Sequence, residues 1–386
     1  MLIYFYRNLI KGRCILKNVS LKNIRKDIVS GIIVALVSIP ISMGYAQIAG
    51  LPAVYGLYSS ILPVLIYGFV TSSPQFVFGV DATPAALVGG TLATLGIVSG
   101  SEEAKAVVPA ITLVAALWLL LFFFIKAGRI VNYISTPVMG GFISGIGVTI
   151  ILMQAAKLFG GNAGTGEAIQ LVMHIAGEFD SFNLLSAVLG IGTVVIILVA
   201  KKLIPKFPMS VLLMVLGALA TAIFHIDRFG VKLLPHVDKG LPGFSLPDMS
   251  VVFKNPSEII LLGLSVAGVV MAQTLLATNN YANKYGYKVS NNREILAYAA
   301  ANAASAVIGG CPLNGSVSRT GIADQFGCKS QVMSITASLT MLLIVLFGTP
   351  VLEYLPVPIL TGIVVAALIG ITEFGLAVKL WKTDHT

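Results

Sequence analysis

Apolar residues run through this chain in long stretches, and the polar positions between them are few enough to punctuate a count of helices. A hydrocarbon layer about 30 Å thick takes roughly 20 residues of helix to cross. Runs near that length recur at 27–48, 52–71, 80–98, 105–125, 132–159, 183–200, 208–224, 258–279, 293–308, 315–326, 331–350 and 356–377. The pattern predicts an all-α polytopic membrane protein of about twelve spans, several of them short or broken. Composition points the same way: 56% of residues are hydrophobic and 11% charged, where a soluble domain carries about a quarter charged residues. The mean hydropathy is +0.92.

Residues 1–26, "MLIYFYRNLIKGRCILKNVSLKNIRK", precede the first run and hold seven of the 25 Lys and Arg residues. Charges interrupt each apolar stretch there, so the segment reads as a basic cytoplasmic arm or an interfacial helix and not as a cleavable signal. With this arm inside, "KAGR" (126–129), "KKLIPK" (201–206), "NKYGYK" (283–288) and "KLWK" (379–382) also fall inside. "SGSEEAK" (99–105) and the 160–182 connection, with Glu167, Glu178 and Asp180, then fall outside. This is the positive-inside pattern, with both termini cytoplasmic in a plasma or inner membrane. It accounts for the net charge of +9 without nucleic acid as a partner; the partner it implies is membrane lipid. Cys14, Cys311 and Cys328 are odd in number and match no metal or redox spacing, so neither a metal site nor a cofactor is expected.

A faint internal repeat adds chemistry to this outline. Some 50 residues after each half opens comes a Gly- and Pro-interrupted stretch, "PQFVFGVDATPAALVGG" (74–90) first and "IGGCPLNGSVSRTGIAD" (308–324) second. Seven runs precede a Pro- and Gly-rich linker at 226–257, and an odd number makes the second copy enter the membrane from the opposite side. That is an inverted-repeat arrangement, whose site lies where paired broken helices meet near the midplane.

In each stretch an extended lead turns into a helix, with Asp81 at one N-cap and Ser316 or Asn314 at the other. Two facing helix N-termini, each with about half a positive charge and free N–H donors, form an anion site. Arg319, in the first turn of the second half-helix, adds a charge with a fork suited to an oxyanion. Two plainer alternatives stand beside this: Asp81 as a structural cap only, and Arg319 as a surface residue snorkelling to an interface. Gln273, Ser42 and Tyr45 either line the same cavity or act as interhelical glue. His174 and His225 fall in solvated loops and Glu373 near an interface. No nucleophile, acid and base constellation and no phosphate loop is evident, so the chain is not expected to be an enzyme.

The segment "DIVSGIIVALVSIPISMGYAQIAGLPAVYGLYSSILPVLIYGFVTSSPQFVFG" (27–79) closely resembles the signature of the sulfate permease (SulP) family, called solute carrier family 26 in animals. "ANKYGYKVSNNREILAYAAAN", "GGCPLNGSVSRTGIAD" and "YLPVPILTGIVVAALIG" are similar to it too. The resemblance implies a seven-plus-seven, uracil-permease-like fold. Its core domain would be 27–130 (spans 1–4) and 258–350 (spans 8–11), and its gate domain 131–225 (spans 5–7) and, in part, 351–386 (span 12).

Carried over by motif, the anion site comprises Asp81, Ala82 and Thr83 in span 3, Ser316, Val317, Ser318 and Arg319 in span 10, Tyr45 in span 1 and Gln273 in span 8. The function implied is secondary transport of a small inorganic anion, sulfate first, coupled to a proton or sodium ion by elevator-type motion. Bicarbonate, a dicarboxylate or a non-transporting anion-binding subunit are the alternatives. Three departures matter: many members carry an apolar or aromatic residue where this chain has Asp81, although a "G-P-D-A" variant occurs, and Gln273 cannot ionise where many bacterial members carry a carboxylate, which makes Asp81 the coupling candidate. The family also continues past "VKLWKTDHT" with two more spans and a STAS domain, so either the chain is a fragment or it works with a partner, a second copy as a homodimer included.

Overall fold

The computed structural model describes residues 21–129, 136–164, 168–178, 181–205, 207–234, 240, 243–244 and 246–369. Residues 1–20, Glu167, Asp180, Lys206, Glu373, "KLWK" and the end of the twelfth run lie outside the described residues.

Helix α1 (Leu21–Ile48) is followed by the short α2 (Val54–Tyr58) and α3 (Leu62–Val70), then strand β1 (Phe78–Val80) and α4 (Ala82–Thr94). Helix α5 (Glu102–Phe124) starts where the Ser101 hydroxyl accepts from the Ala104 amide at 3.1 Å, with Glu102 and Glu103 suited to its positive end. Next come α6 (Thr136–Leu158), α7 (Ala168–Gly177), α8 (Leu184–Leu203) and α9 (Met209–Phe224). The second half has α10 (Ser250–Lys254), α11 (Pro256–Tyr285), α12 (Asn291–Val307), β2 (Leu313–Gly315), α13 (Val317–Gln325), α14 (Val332–Leu343), α15 (Thr349–Leu352) and α16 (Val357–Ile369).

Three differences from the pattern of apolar runs have local causes. The run at 52–71 is two helices, broken at Ser59–Ile61 before Pro63. Helix α11 runs six residues past 279 because "NYANKY" still forms helix until Gly286, at φ +69, supplies the left-handed cap. The 160–182 connection carries α7, so His174 lies in a helix and not in a loop, its ring within 3.2 Å of the Asn162 carbonyl. In the same connection Ser181 and Asn162 donate to Glu178, which holds its carboxyl below the usual range.

The helices pack in two groups. Helix α12 lies on α5 and α3, α11 on α5, and α14 on α1 and α3; α16 lies on α8 and α6 and also reaches α1. Two buried carboxylates fasten turns within the first group. Asp27 accepts from the Lys329 amide (2.6 Å) and from the amide and hydroxyl of Ser330 (3.3 and 2.5 Å), fixing the exit of α13. Glu294 accepts from Thr71 Oγ1 (2.9 Å), the Ser72 and Ser73 amides (2.5 and 3.0 Å) and the Tyr67 hydroxyl (3.3 Å), fixing the turn that leads to β1. A buried carboxylate is tolerated only with such a full set of donors.

Candidate functional site

Strands β1 and β2 pair antiparallel, with Phe78 opposite Gly315, Gly79 opposite Asn314 and Val80 opposite Leu313. Three residues a side are too few for a stable ribbon on their own. Here the ring of Phe78 lies between Tyr67 (4.8 Å, 18°) and Tyr298 (5.1 Å, 7°), which clamps β1 between α3 and α12. The lead-in is held as well: Gln331 Nε2 donates to the carbonyls of Ser73 and Phe76, and Val77 exchanges bonds with Thr320 Oγ1 and the Ser316 amide.

Each strand runs straight into a helix, β1 through Asp81 into α4 and β2 through Ser316 into α13. Because the strands are antiparallel, the helices leave in opposite directions and their N-termini point at each other across the ladder, about 10 Å long at 3.4 Å per residue. Asp81 and Ser316 both have extended backbone, which turns the chain from strand to helix, and Pro84 sits in the first turn of α4, where no amide is needed. Neither side chain makes the usual capping bond to the second or third amide of its helix, so Asp81 is not a side-chain cap.

Asp81 Oδ2 instead accepts from Asn314 Nδ2 at 3.3 Å, and the same amide donates to Gln273 Oε1 at 2.8 Å. Asn314 Oδ1 accepts from Thr274 Oγ1 at 2.6 Å, and that hydroxyl accepts from the Gly315 amide at 2.9 Å. Asn314 is thus the knot joining β2, α11 and the start of α4. Among the described residues its own side chain has no exposure at all.

Arg319 is buried, with 2% exposure, and does not snorkel to a surface. Its guanidinium reaches back beneath β1, where Nη2 donates to the Val80 carbonyl at 2.6 Å and Nη1 approaches Ser38 Oγ at 3.5 Å. Nε has no partner. Arg319 and Asp81 are not in ion-pair contact, so the arginine acts as a fixed positive charge behind the strand pair. The close approach depends on Gly79: a Cβ there would lie 3.0 Å from Nη1 and 3.4 Å from Nη2. Gly79→Ala should therefore shift the guanidinium and cost about 1–3 kcal/mol of stability, read as a lower unfolding midpoint in detergent; an unchanged midpoint would contradict this contact.

A cavity of about 600 Å³ opens beside these residues, between the two packed groups. Asp81, Gln273, Ser316, Val317 and Ser318 line it on one side; Ile197, Lys201, Pro205 and Phe207 line it on the other, with Ile363 of α16. The remaining candidates are near but do not line it. Ala82 and Thr83 are buried in the first turn of α4, and Tyr45 is buried on α1. Ser42 spends its hydroxyl on the Ser38 carbonyl of its own helix at 2.6 Å. The structure thus brings Asp81, Gln273 and the start of α13 to one cavity wall and leaves Arg319 behind it. Asn314 and Thr274 are not legible as its links; the sequence shows only a polar residue in the broken stretch 308–324 and another in the unbroken run 258–279.

Comparison with known proteins matches residues 24–386 to the Sulfate permease family. Sulfate transporter 3.1 of Arabidopsis thaliana is 27% identical over 382 residues, covering 95% of this chain and 57% of that protein. A Probable sulfate transporter of Mycobacterium tuberculosis is 28% identical over 365 residues, covering 94% and 64%. The chain spans about three-fifths of the length of these relatives.

Among solved structures, murine Solute Carrier 26 family member A9, an anion transporter in the inward-facing state, superposes with a TM-score of 0.86 at 22% identity, covering 99% of this chain and 66% of that one. The transmembrane domain of a cyanobacterium bicarbonate transporter, BicA, gives 0.83 at 18% identity, covering 95% and 92%. These two likenesses give the fold, that of an integral multi-pass membrane protein.

Proposed function

The chain belongs to the sulfate permease family, and from that premise we propose that it is the membrane part of a secondary transporter of small inorganic anions, with sulfate as its substrate. The observation that carries this is the pair of helix N-termini, of α4 and α13, facing each other across β1 and β2 at the wall of an open cavity. Free amides and aligned dipoles receive an oxyanion there, and Arg319 raises the local positive potential from behind without occupying the cavity.

The two packed groups support a division into a core (27–130 and 258–350) that carries the site and a gate (131–225 and 351–386) against which it travels. The strand pair, the aromatic clamp and the Asn314 knot make the site one unit, which suits transport by displacement of the whole core. The cavity runs to the end where Lys201 and Pro205 lie, the cytoplasmic side by the charge pattern, so this conformation is inward-facing.

Radiolabelled sulfate uptake into proteoliposomes, set beside equilibrium binding, tests the proposal. Binding without uptake would leave an anion-binding subunit instead, and competition by bicarbonate or a dicarboxylate ahead of sulfate would change the substrate.

Coupling falls to Asp81 in this proposal, because Gln273 cannot ionise. The aspartate takes up a proton as the anion binds and releases it inside, so uptake should fall as pH rises. Asp81→Asn keeps an oxygen for Asn314 Nδ2 and should flatten that pH dependence; uptake that stays fully proton-dependent in the variant sinks the assignment. A purely conformational role would leave the variant near wild type, since Asn can hold the same backbone turn and still accept from Asn314 Nδ2.

A further inference from the structure

One lysine of the basic run "KKLIPK" (201–206) faces the cavity. Ile197, Lys201 and Pro205 all line it, each four residues after the last. For Ile197 and Lys201 that spacing is one face of a helix, here the last turns of α8; Pro205 follows two residues past its end. Lys202, the next residue along α8, does not line the cavity; one position on, a helix turns its side chain about 100° away. Among the described residues, Asp81 and Lys201 are the only lining residues with a formal charge. Asp81 sits almost closed off, at 6% exposure, whereas Lys201 is solvent-exposed.

These two positions have opposite effects on an arriving anion. An ionised Asp81 repels it along the length of a cleft with apolar walls, where field lines are focused. Lys201 cancels that charge across the cleft, and it stands in the final turn of α8, where a cation suits the helix dipole. Without it the formal charge lining the cavity would be Asp81's alone.

We propose that Lys201 is a further anion-binding residue, the cation on the gate side that collects a small inorganic oxyanion at the mouth of the cavity and offsets Asp81 while it moves to the helix N-termini. This rests on the anion-transport function proposed above. Lys201 acts through long-range attraction, so its contribution is sensitive to ionic strength, which a packing role would not be.

The test measures equilibrium sulfate binding and sulfate uptake for the wild type, Lys201→Gln, Lys201→Arg and Lys202→Gln. Ionic strengths of about 0.01 M and about 1 M give screening lengths of roughly 30 Å and 3 Å. Lys201→Gln should raise the sulfate Kd and KM about fivefold at low ionic strength, with kcat retained, and the gap should close at high ionic strength. Lys201→Arg should stay near wild type, and Lys202→Gln, which removes a charge that does not line the cavity, should lose clearly less than Lys201→Gln. A wild-type Kd in Lys201→Gln, an equal loss in Lys202→Gln, or a defect that persists at high salt overturns the assignment. Failure of the wild type to bind sulfate overturns the anion site and this inference together; binding without uptake overturns transport alone and leaves the Kd comparison to decide on Lys201.

Discussion

Arg319→Ala should weaken sulfate binding about a hundredfold, roughly 2.7 kcal/mol, within the range for loss of a charged hydrogen-bonding group in a buried place. The guanidinium does not line the cavity, so the loss comes through the field and the scaffold. In a low-dielectric setting a fixed charge behind the strand pair acts at a range that water would quench. Its removal leaves Asp81 beside the anion with no full positive charge on its own side of the cavity. It also withdraws the donor to the Val80 carbonyl at 2.6 Å, next to Asp81 in the chain.

Arg319→Lys restores charge without the fork and should recover only part of the affinity, because one ammonium does not reproduce Nη2 on Val80 and Nη1 near Ser38 together. Sulfate titration of the three proteins checks both statements. Undiminished affinity in the alanine variant would remove Arg319 from the account.

The largest loss of stability is expected at Glu294. Its carboxylate takes donors from Tyr67, Thr71, Ser72 and Ser73, and truncation to alanine strands several of them in a buried place. A buried donor left without its acceptor costs about 1–3 kcal/mol, so the loss should be about 3 kcal/mol or more, whereas Glu294→Gln, with one acceptor oxygen kept, should cost about half as much. The unfolding midpoint in detergent measures both, and an alanine variant within about 0.5 kcal/mol of wild type would show that the network is dispensable. Because the fastened turn leads into β1, sulfate affinity should decline with stability in this series. Under the same logic Arg319→Ala should lose affinity first and stability less.

How far the sequence carries depends on the length scale of the feature. Helices appear in it because apolar runs of membrane length are a local property, and the two broken segments appear because Gly, Pro and a charge inside such runs are local too. Distances in the chain hide the rest. Nothing near Asn314 announces that it will lie opposite Gly79 and share its amide between Asp81 and Gln273, since that follows from a strand register across the two halves. Glu294 and Asp27 read as ordinary charges at helix starts until the turns they bind are brought to them. The direction of Arg319 is hidden for a related reason: its position on α13 is clear, but only the absent side chain of Gly79 lets it fold back beneath β1. His174 reads as a loop residue in the sequence because α7, at ten residues, is shorter than a span-length pattern detects.

The strand pair also bears on how the protein is made. Asp81 and Asn314 are 233 residues apart, so a growing chain completes α4 long before β2 exists. Through that interval β1 has an open edge, and unpaired backbone amides are costly inside a bilayer. The first half must therefore wait in a provisional state, with β1 shielded by water, a neighbouring helix or the insertion machinery. Contacts of such separation also form slowly. The strand pair is then the closing stitch of assembly and not its nucleus.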